Sequence, residues 1–92
     1  MIIRVVTEGQ YEVSDSLLDE LNELDNEIVG LIESGDETRF RDVLRNFISL
    51  IRENGKPLDA DVIVESDLIV PPEDLTILEA MKIFNGEGLI PD

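Results

Sequence analysis

The sequence predicts an α+β fold, and three observations carry the prediction. A β-branched run, Ile2 to Thr7, is followed by a short polar–apolar alternation. Two consecutive stretches then repeat their apolar residues at helical spacing, separated by Ser34-Gly35-Asp36. Finally, Leu68-Ile69-Val70 runs into Pro71-Pro72 and a capping-box pattern. Together they describe a small antiparallel sheet, an N-terminal β-hairpin plus one later short strand. It packs on an antiparallel helical hairpin and is followed by a short C-terminal helix. Ninety-two residues without internal repeat, low-complexity segment or linker make a single compact domain, residues 1–92.

The first strand is Ile2 to Thr7. Glu8-Gly9 forms the turn, and Gln10-Tyr11-Glu12-Val13 alternates as a second, antiparallel strand with Tyr11 and Val13 toward the core. Ser14 or Ser16 offers an N-cap, with acids crowding the next turn where the helix dipole favours them. The first helix runs from about Asp15 to Ser34. Leu17, Leu21, Leu24, Ile28 and Leu31 fall in one stripe, with Ile32 beside them.

Ser34-Gly35-Asp36 ends that helix and caps the next, which runs from about Glu37 to Asn54 with Gly55 as a left-handed stop. Phe40, Val43, Leu44, Phe47, Ile48, Leu50 and Ile51 cover nearly half of its circumference. An arc that wide needs two neighbours, the first helix on one flank and the sheet on the other. Lys56-Pro57-Leu58-Asp59 reads as a loop. Val62-Ile63-Val64 and Leu68-Ile69-Val70 both favour β structure, and Leu68 to Val70 is the one expected to enter the sheet. Pro71 has no amide hydrogen and disfavours helix at Val70, so the strand stops there. Thr76 and Glu79 form the capping box, with Leu75 and Ala80 as its staple. The third helix extends to about Phe84, burying Ile77, Leu78, Met81 or Phe84. Asn85-Gly86 stops it, and Gly88-Leu89-Ile90-Pro91 is an extended tail.

Composition narrows the chemistry. The chain has no cysteine and no histidine, which removes thiol nucleophiles, zinc–thiolate sites, disulfides and the usual general base at neutral pH. Twenty-two acidic against 7 basic residues give a formal charge of −15. That balance opposes phosphate-backbone binding, so no nucleic acid is expected as a partner, and it disfavours adhesion to anionic membranes. No apolar run approaches the roughly 20 residues of a membrane span, and Arg4 interrupts the apolar N-terminus, so no signal peptide and no membrane insertion are expected. The expected location is cytoplasmic.

A search for catalytic and metal motifs returns little. Gly86-Glu87-Gly88 precedes no helix, and the serines have no histidine partner. Asp59-Ala60-Asp61 opens like a calcium loop, but Val64 stands where the sharp turn needs glycine. The chain is expected to be non-enzymatic and to hold neither cofactor nor metal. A carboxylate-based enzyme or an acidic metal-binding domain is the alternative from another class.

Two charge patterns are candidates for partner binding. On the first helix Asp15, Asp19, Glu23 and Glu27 stand four apart, a ladder of like charges. Burial of the leucine stripe can outweigh it, which makes the ladder a solvated face; otherwise Asp19, Glu23 and Glu27 form a docking face. On the second helix Arg41, Arg45 and Arg52 lie on one line beside Ile48. They either pair with nearby acids or flank an exposed isoleucine as a contact for another helix. An exposed Ile48 or Leu18 flank could also close a symmetric homodimer.

Four segments occur in a set order: Glu8-Gly9-Gln10-Tyr11, Leu18-Asp19-Glu20-Leu21-Asn22-Glu23-Leu24-Asp25, Ser66-Asp67-Leu68-Ile69-Val70-Pro71-Pro72 and Glu87-Gly88-Leu89-Ile90-Pro91. In these the chain resembles the phage-shock-protein-A-associated domain family, from end to end. The resemblance implies an accessory or regulatory partner of phage shock protein A (PspA), a coiled-coil peripheral membrane protein of the envelope-stress response. It brings no catalytic or cofactor residues. A PspA-like coiled-coil protein is therefore the expected partner.

Overall fold

The computed structural model of the chain describes residues 1–62 and 64–83. In chain order the elements are β1 (Ile2–Val5), β2 (Gly9–Glu12), a 3₁₀ turn (Asp15–Leu17), α1 (Leu18–Ser34), α2 (Glu37–Asn54), β3 (Lys56–Pro57), β4 (Leu68–Val70) and α3 (Ile77–Ile83). The α+β class and the helical hairpin stand as the sequence predicts. The sheet is larger than expected and mixed, with strand order β3-β2-β1-β4.

β1 and β2 pair antiparallel, placing Ile3 opposite Tyr11 and Arg4 opposite Gln10. Leu68 to Val70 does enter the sheet, but parallel to β1, with Arg4 opposite Ile69. The loop expected at Lys56-Pro57 is instead a two-residue edge strand, antiparallel to β2. Neither residue type signals a strand; the pairing with Tyr11 and Glu12 is imposed by the end of α2. From β3 the chain crosses to the far edge of the sheet and enters β4 in the direction of β1. Val62 and Val64 take no part in the sheet, and Ile63 lies outside the described residues.

Alternation separates the two faces of the sheet. Ile3 and Val5 of β1 and Leu68 and Val70 of β4 point inward, where they join Leu21, Ile28 and Ile32 of α1. Phe40, Val43, Leu44, Phe47, Ile48 and Ile51 of α2 complete the same cluster. Both helices therefore cover one side of the sheet. Ile48 is 0% exposed, so the expected exposed isoleucine beside the arginines does not exist. The α2 arc has apolar neighbours on both flanks and encloses its edge residues too.

The caps explain the boundaries. Ser14 Oγ accepts from Ser16 N–H and opens the 3₁₀ turn. Gly35 takes φ 76° and closes α1 in a Schellman-type turn, while Asp36 accepts from Arg39 N–H to start α2. Gly55 is not the left-handed stop that was expected: its φ is −89° and ψ 153°, extended backbone. Its reason is space, because a Cβ there would lie 2.6 Å from the Ile51 carbonyl oxygen and 3.0 Å from Tyr11 Cβ.

At α3 the capping box forms as read. Thr76 Oγ1 accepts from Glu79 N–H at 3.2 Å, and Glu79 Oε1 accepts from Thr76 N–H at 3.2 Å. Leu75 and Ala80 are both buried in the core cluster. Ile77 is buried as expected, whereas Leu78 is 70% exposed and Met81 is exposed as well. Ile77 and Ala80, three apart, form the only face this short helix turns to the core among its described side chains. Phe84, the Asn85-Gly86 stop, the Gly88-to-Pro91 tail and the Glu87-to-Pro91 signature segment lie outside the described residues.

Candidate functional site

The charged groups sort into those engaged within the fold and those facing solvent without a partner. Arg52, near the end of α2, donates from Nε to Glu8 Oε1 at 2.6 Å and from Nη2 to Glu8 Oε2. It also reaches Glu73 at 3.4 Å, beyond the paired prolines. Tyr11 donates its hydroxyl to Glu8 Oε1 at 3.1 Å. The Arg52 hydrogen bonds hold the Glu8 carboxyl below its ordinary value of 4.5 despite some burial, with Tyr11 adding to the effect. Burial, followed by the adjacent Glu8 carboxylate, pushes the Tyr11 hydroxyl up. The same contacts raise Arg52.

This clasp removes Arg52 from the arginine line as a free contact. Arg41 sits 3.6 Å from Glu37, one turn back on the same helix, and Arg39 sits 3.4 Å from Glu27 on α1. Of the three arginines on the line, Arg45 alone has no carboxylate partner among the described residues.

The acidic ladder survives as an exposed feature. Asp19, Glu23 and Glu27 are all exposed on α1. Asp15 lies in the preceding 3₁₀ turn, 3.5 Å from the Met1 amino group, and Glu27 is met by Arg39. Asp19 and Glu23 face solvent with no ion pair among the described residues. Asp25, on the same helix, is buried at 3% exposure, which its charge did not announce.

Two of the four segments behind the family resemblance, Glu8 to Tyr11 and Ser66 to Pro72, contribute strands to the sheet, while Leu18 to Asp25 opens α1. Gln10, buried on the outer face, donates its side-chain amide to the Val64 carbonyl at 2.9 Å and to Ser66 Oγ at 2.8 Å. Asp67 Oδ2 accepts from Ile2 N–H at 2.8 Å. Glu8 and Glu73 share Arg52. These contacts tie the first segment, or its neighbours, to the third.

A half-open cavity of about 310 Å³ lies on the outer face, between the β1–β2 hairpin and Leu58, Asp59, Ala60, Val62 and Val64. Its lining includes Arg4, Gln10, Leu58, Asp59, Val62 and Val64. Sequence reasoning used Arg4 only as an interruption of the N-terminal apolar run. Its alternation with Ile3 and Val5 was the available signal that it stands on the outer face. Among the described residues no group of three or more acids is arranged to hold a metal ion, and no helix is long and apolar enough to cross a membrane.

Compared with known families, residues 1–92 match the family model described as PspA-Associated protein. No curated protein and no solved structure matches the chain.

Proposed function

We propose that this chain, which belongs to the PspA-associated protein family, is a non-enzymatic accessory or regulatory protein of the phage-shock envelope-stress system. In this reading it acts in the cytoplasm by direct binding to a PspA-like coiled-coil protein. The match of a family model to the whole chain carries the reading, since the family is described by its association with PspA. Composition supports the non-enzymatic part: without histidine or cysteine, the side chains lack the common acid–base and nucleophilic groups. The charge of −15 favours basic protein surfaces over nucleic acid.

The helix-borne contact in this reading is the acidic face of α1. Asp19 and Glu23 have no internal cation among the described residues, so a partner's lysines or arginines meet no competitor there. The arginine line is the weaker candidate, because Arg41 and Arg52 already hold Glu37 and Glu8, and Ile48 is buried. Capture from native extract with the intact protein is expected to retrieve a PspA-like coiled coil. Reversing Asp19, Glu23 and Glu27 to lysine is expected to weaken that capture. Unchanged capture by the reversed variant removes the acidic face from the reading, and no coiled coil among the captured proteins removes the reading itself.

A further inference from the structure

The end of α2 carries a chemically labile dipeptide at a place where packing demands its second residue. Two asparagines of the chain precede glycine, Asn54 and Asn85, and the first pair lies among the described residues. In such a pair the glycine amide nitrogen attacks Cγ of the asparagine side chain. A C–N bond closes a five-membered succinimide as ammonia leaves, and water then opens the ring to aspartate or isoaspartate. Glycine favours closure because it has no Cβ to hinder the ring and its backbone turns freely. Packing disfavours any larger residue here. A Cβ on Gly55 would lie 2.6 Å from the Ile51 carbonyl oxygen, 3.0 Å from Tyr11 Cβ and 3.2 Å from Val13 Cγ2.

Both reacting groups are held by carbonyls of α2. Asn54 Nδ2 donates to the Leu50 carbonyl at 2.9 Å, which folds the side chain back along the helix. Gly55 N–H donates to the Ile51 carbonyl at 2.7 Å, so the attacking nitrogen is turned into the helix and its proton is withheld from base in solution. Asn54 itself is exposed, so burial does not protect it; the hydrogen bonds of the last turn do. Helix ends fray, but here Arg52 is fixed to Glu8 of the β1–β2 turn, with Nε 2.6 Å from Oε1, and reaches Glu73 beyond β4. The turn that carries Asn54 is thus tied to the sheet two residues before it.

We propose that Asn54 is a latent modification site, converted to aspartate or isoaspartate through a succinimide with Gly55 when the last turn of α2 opens, and that the Arg52–Glu8 clasp holds that turn closed. The inference is independent of the partner reading above. Either product places a carboxylate at the C-terminal end of α2, beside Glu53, where the helix dipole disfavours it. Isoaspartate also routes the main chain through its side-chain carbon and adds a methylene between α2 and β3. Lys56 and Pro57 pair with Glu12 and Tyr11 directly after Gly55, so the added atom shifts the edge strand against β2.

The test incubates the full chain in one mildly alkaline buffer, folded and unfolded by urea, and follows conversion of Asn54 by peptide mapping and mass spectrometry. Opening is fast beside deamidation, so the folded rate equals the unfolded rate multiplied by the fraction of time the turn is open. Asn54 in the folded wild type is expected to convert at least about tenfold more slowly than in urea. Arg52→Ala, shown by circular dichroism to be folded, is expected to raise the folded rate about fivefold. Asp36→Ala, which removes the N-cap at the other end of the same helix, is expected to change it by under about twofold. No conversion in urea overturns the site, and equal rates in the folded and urea-unfolded chain overturn its protection by the turn. An Arg52→Ala rate equal to wild type, or an Asp36→Ala rate as fast as that of Arg52→Ala, overturns the role of the clasp.

Discussion

At the scale of single residues, what a side chain meets in space decides its role more than its type does. Two glycines make the contrast. Gly55 follows α2, and the periodicity of that helix correctly places its end there. The reason for glycine is different from the left-handed stop that the position suggests. The extended backbone suits any residue, but the end of α2 approaches β2 so closely that a Cβ would meet the Ile51 carbonyl and the side chains of Tyr11 and Val13. Gly30 lies exposed inside α1, where an added Cβ finds nothing within 4 Å. Gly55→Ala is therefore expected to cost about 1–3 kcal/mol through overpacking. Gly30→Ala is expected to stabilise by about 0.5–1 kcal/mol, because alanine restricts the unfolded chain and favours helix. Urea unfolding of the two variants should move the midpoint in opposite directions with the slope unchanged.

At the scale of elements, the long periodic segments were legible and the short ones were not. α1 and α2 follow from their apolar repeats, and α2 has the predicted limits of Glu37 and Asn54. β3 was missed because two residues cannot show a period; Lys56 and Pro57 are a strand only because β2 lies alongside. Leu78 and Met81 were expected in the core, yet a helix of seven residues buries one narrow face, here Ile77 and Ala80. The acidic ladder on α1 shows how burial and surface charge compete. Full burial of Leu21, Ile28 and Ile32 contributes about 1.5–3 kcal/mol each, well above the roughly 0.2–0.5 kcal/mol that each like-charge pair costs. The ladder is thus tolerated, and Glu23 stands between Asp19 and Glu27 with no cation of its own among the described residues. Glu23→Gln relieves both neighbours and is expected to stabilise the protein by about 0.4–1 kcal/mol at low salt. The gain should fade as salt shortens the Debye length, and a melting series from dilute buffer to about 1 M salt checks it. A gain independent of salt would mean that repulsion is not its source.

At the scale of the whole molecule, the Glu8–Arg52–Glu73 clasp joins the hairpin turn, the end of α2 and the corner after β4. It was invisible in the sequence because its members are 44 and 21 residues apart, and only the folded sheet brings them together. The place of Arg4 is hidden in the sequence for a related reason: an arginine in an apolar strand reads as an interruption until the strand order places it mid-sheet on the outer face. The clasp is partly exposed, so its contribution is modest, about 1 kcal/mol for a bidentate pair screened by solvent. Its pH dependence has a definite sign. The Glu8 carboxyl is held below its ordinary 4.5 by Arg52, so the folded protein gains stability from it above that value and loses the gain as pH falls through the lower folded value. The absolute melting temperature is a poor readout, because protonating the remaining acids of a −15 chain also relieves self-repulsion. Comparing wild type with Arg52→Ala removes that shared contribution. The stability gap between them is expected to hold steady from pH 7 to about 5 and to close only below 4.5, once Glu8 protonates in the folded state. A gap that closed already between pH 7 and about 5 would assign the effect of Arg52 to something other than the Glu8 carboxylate.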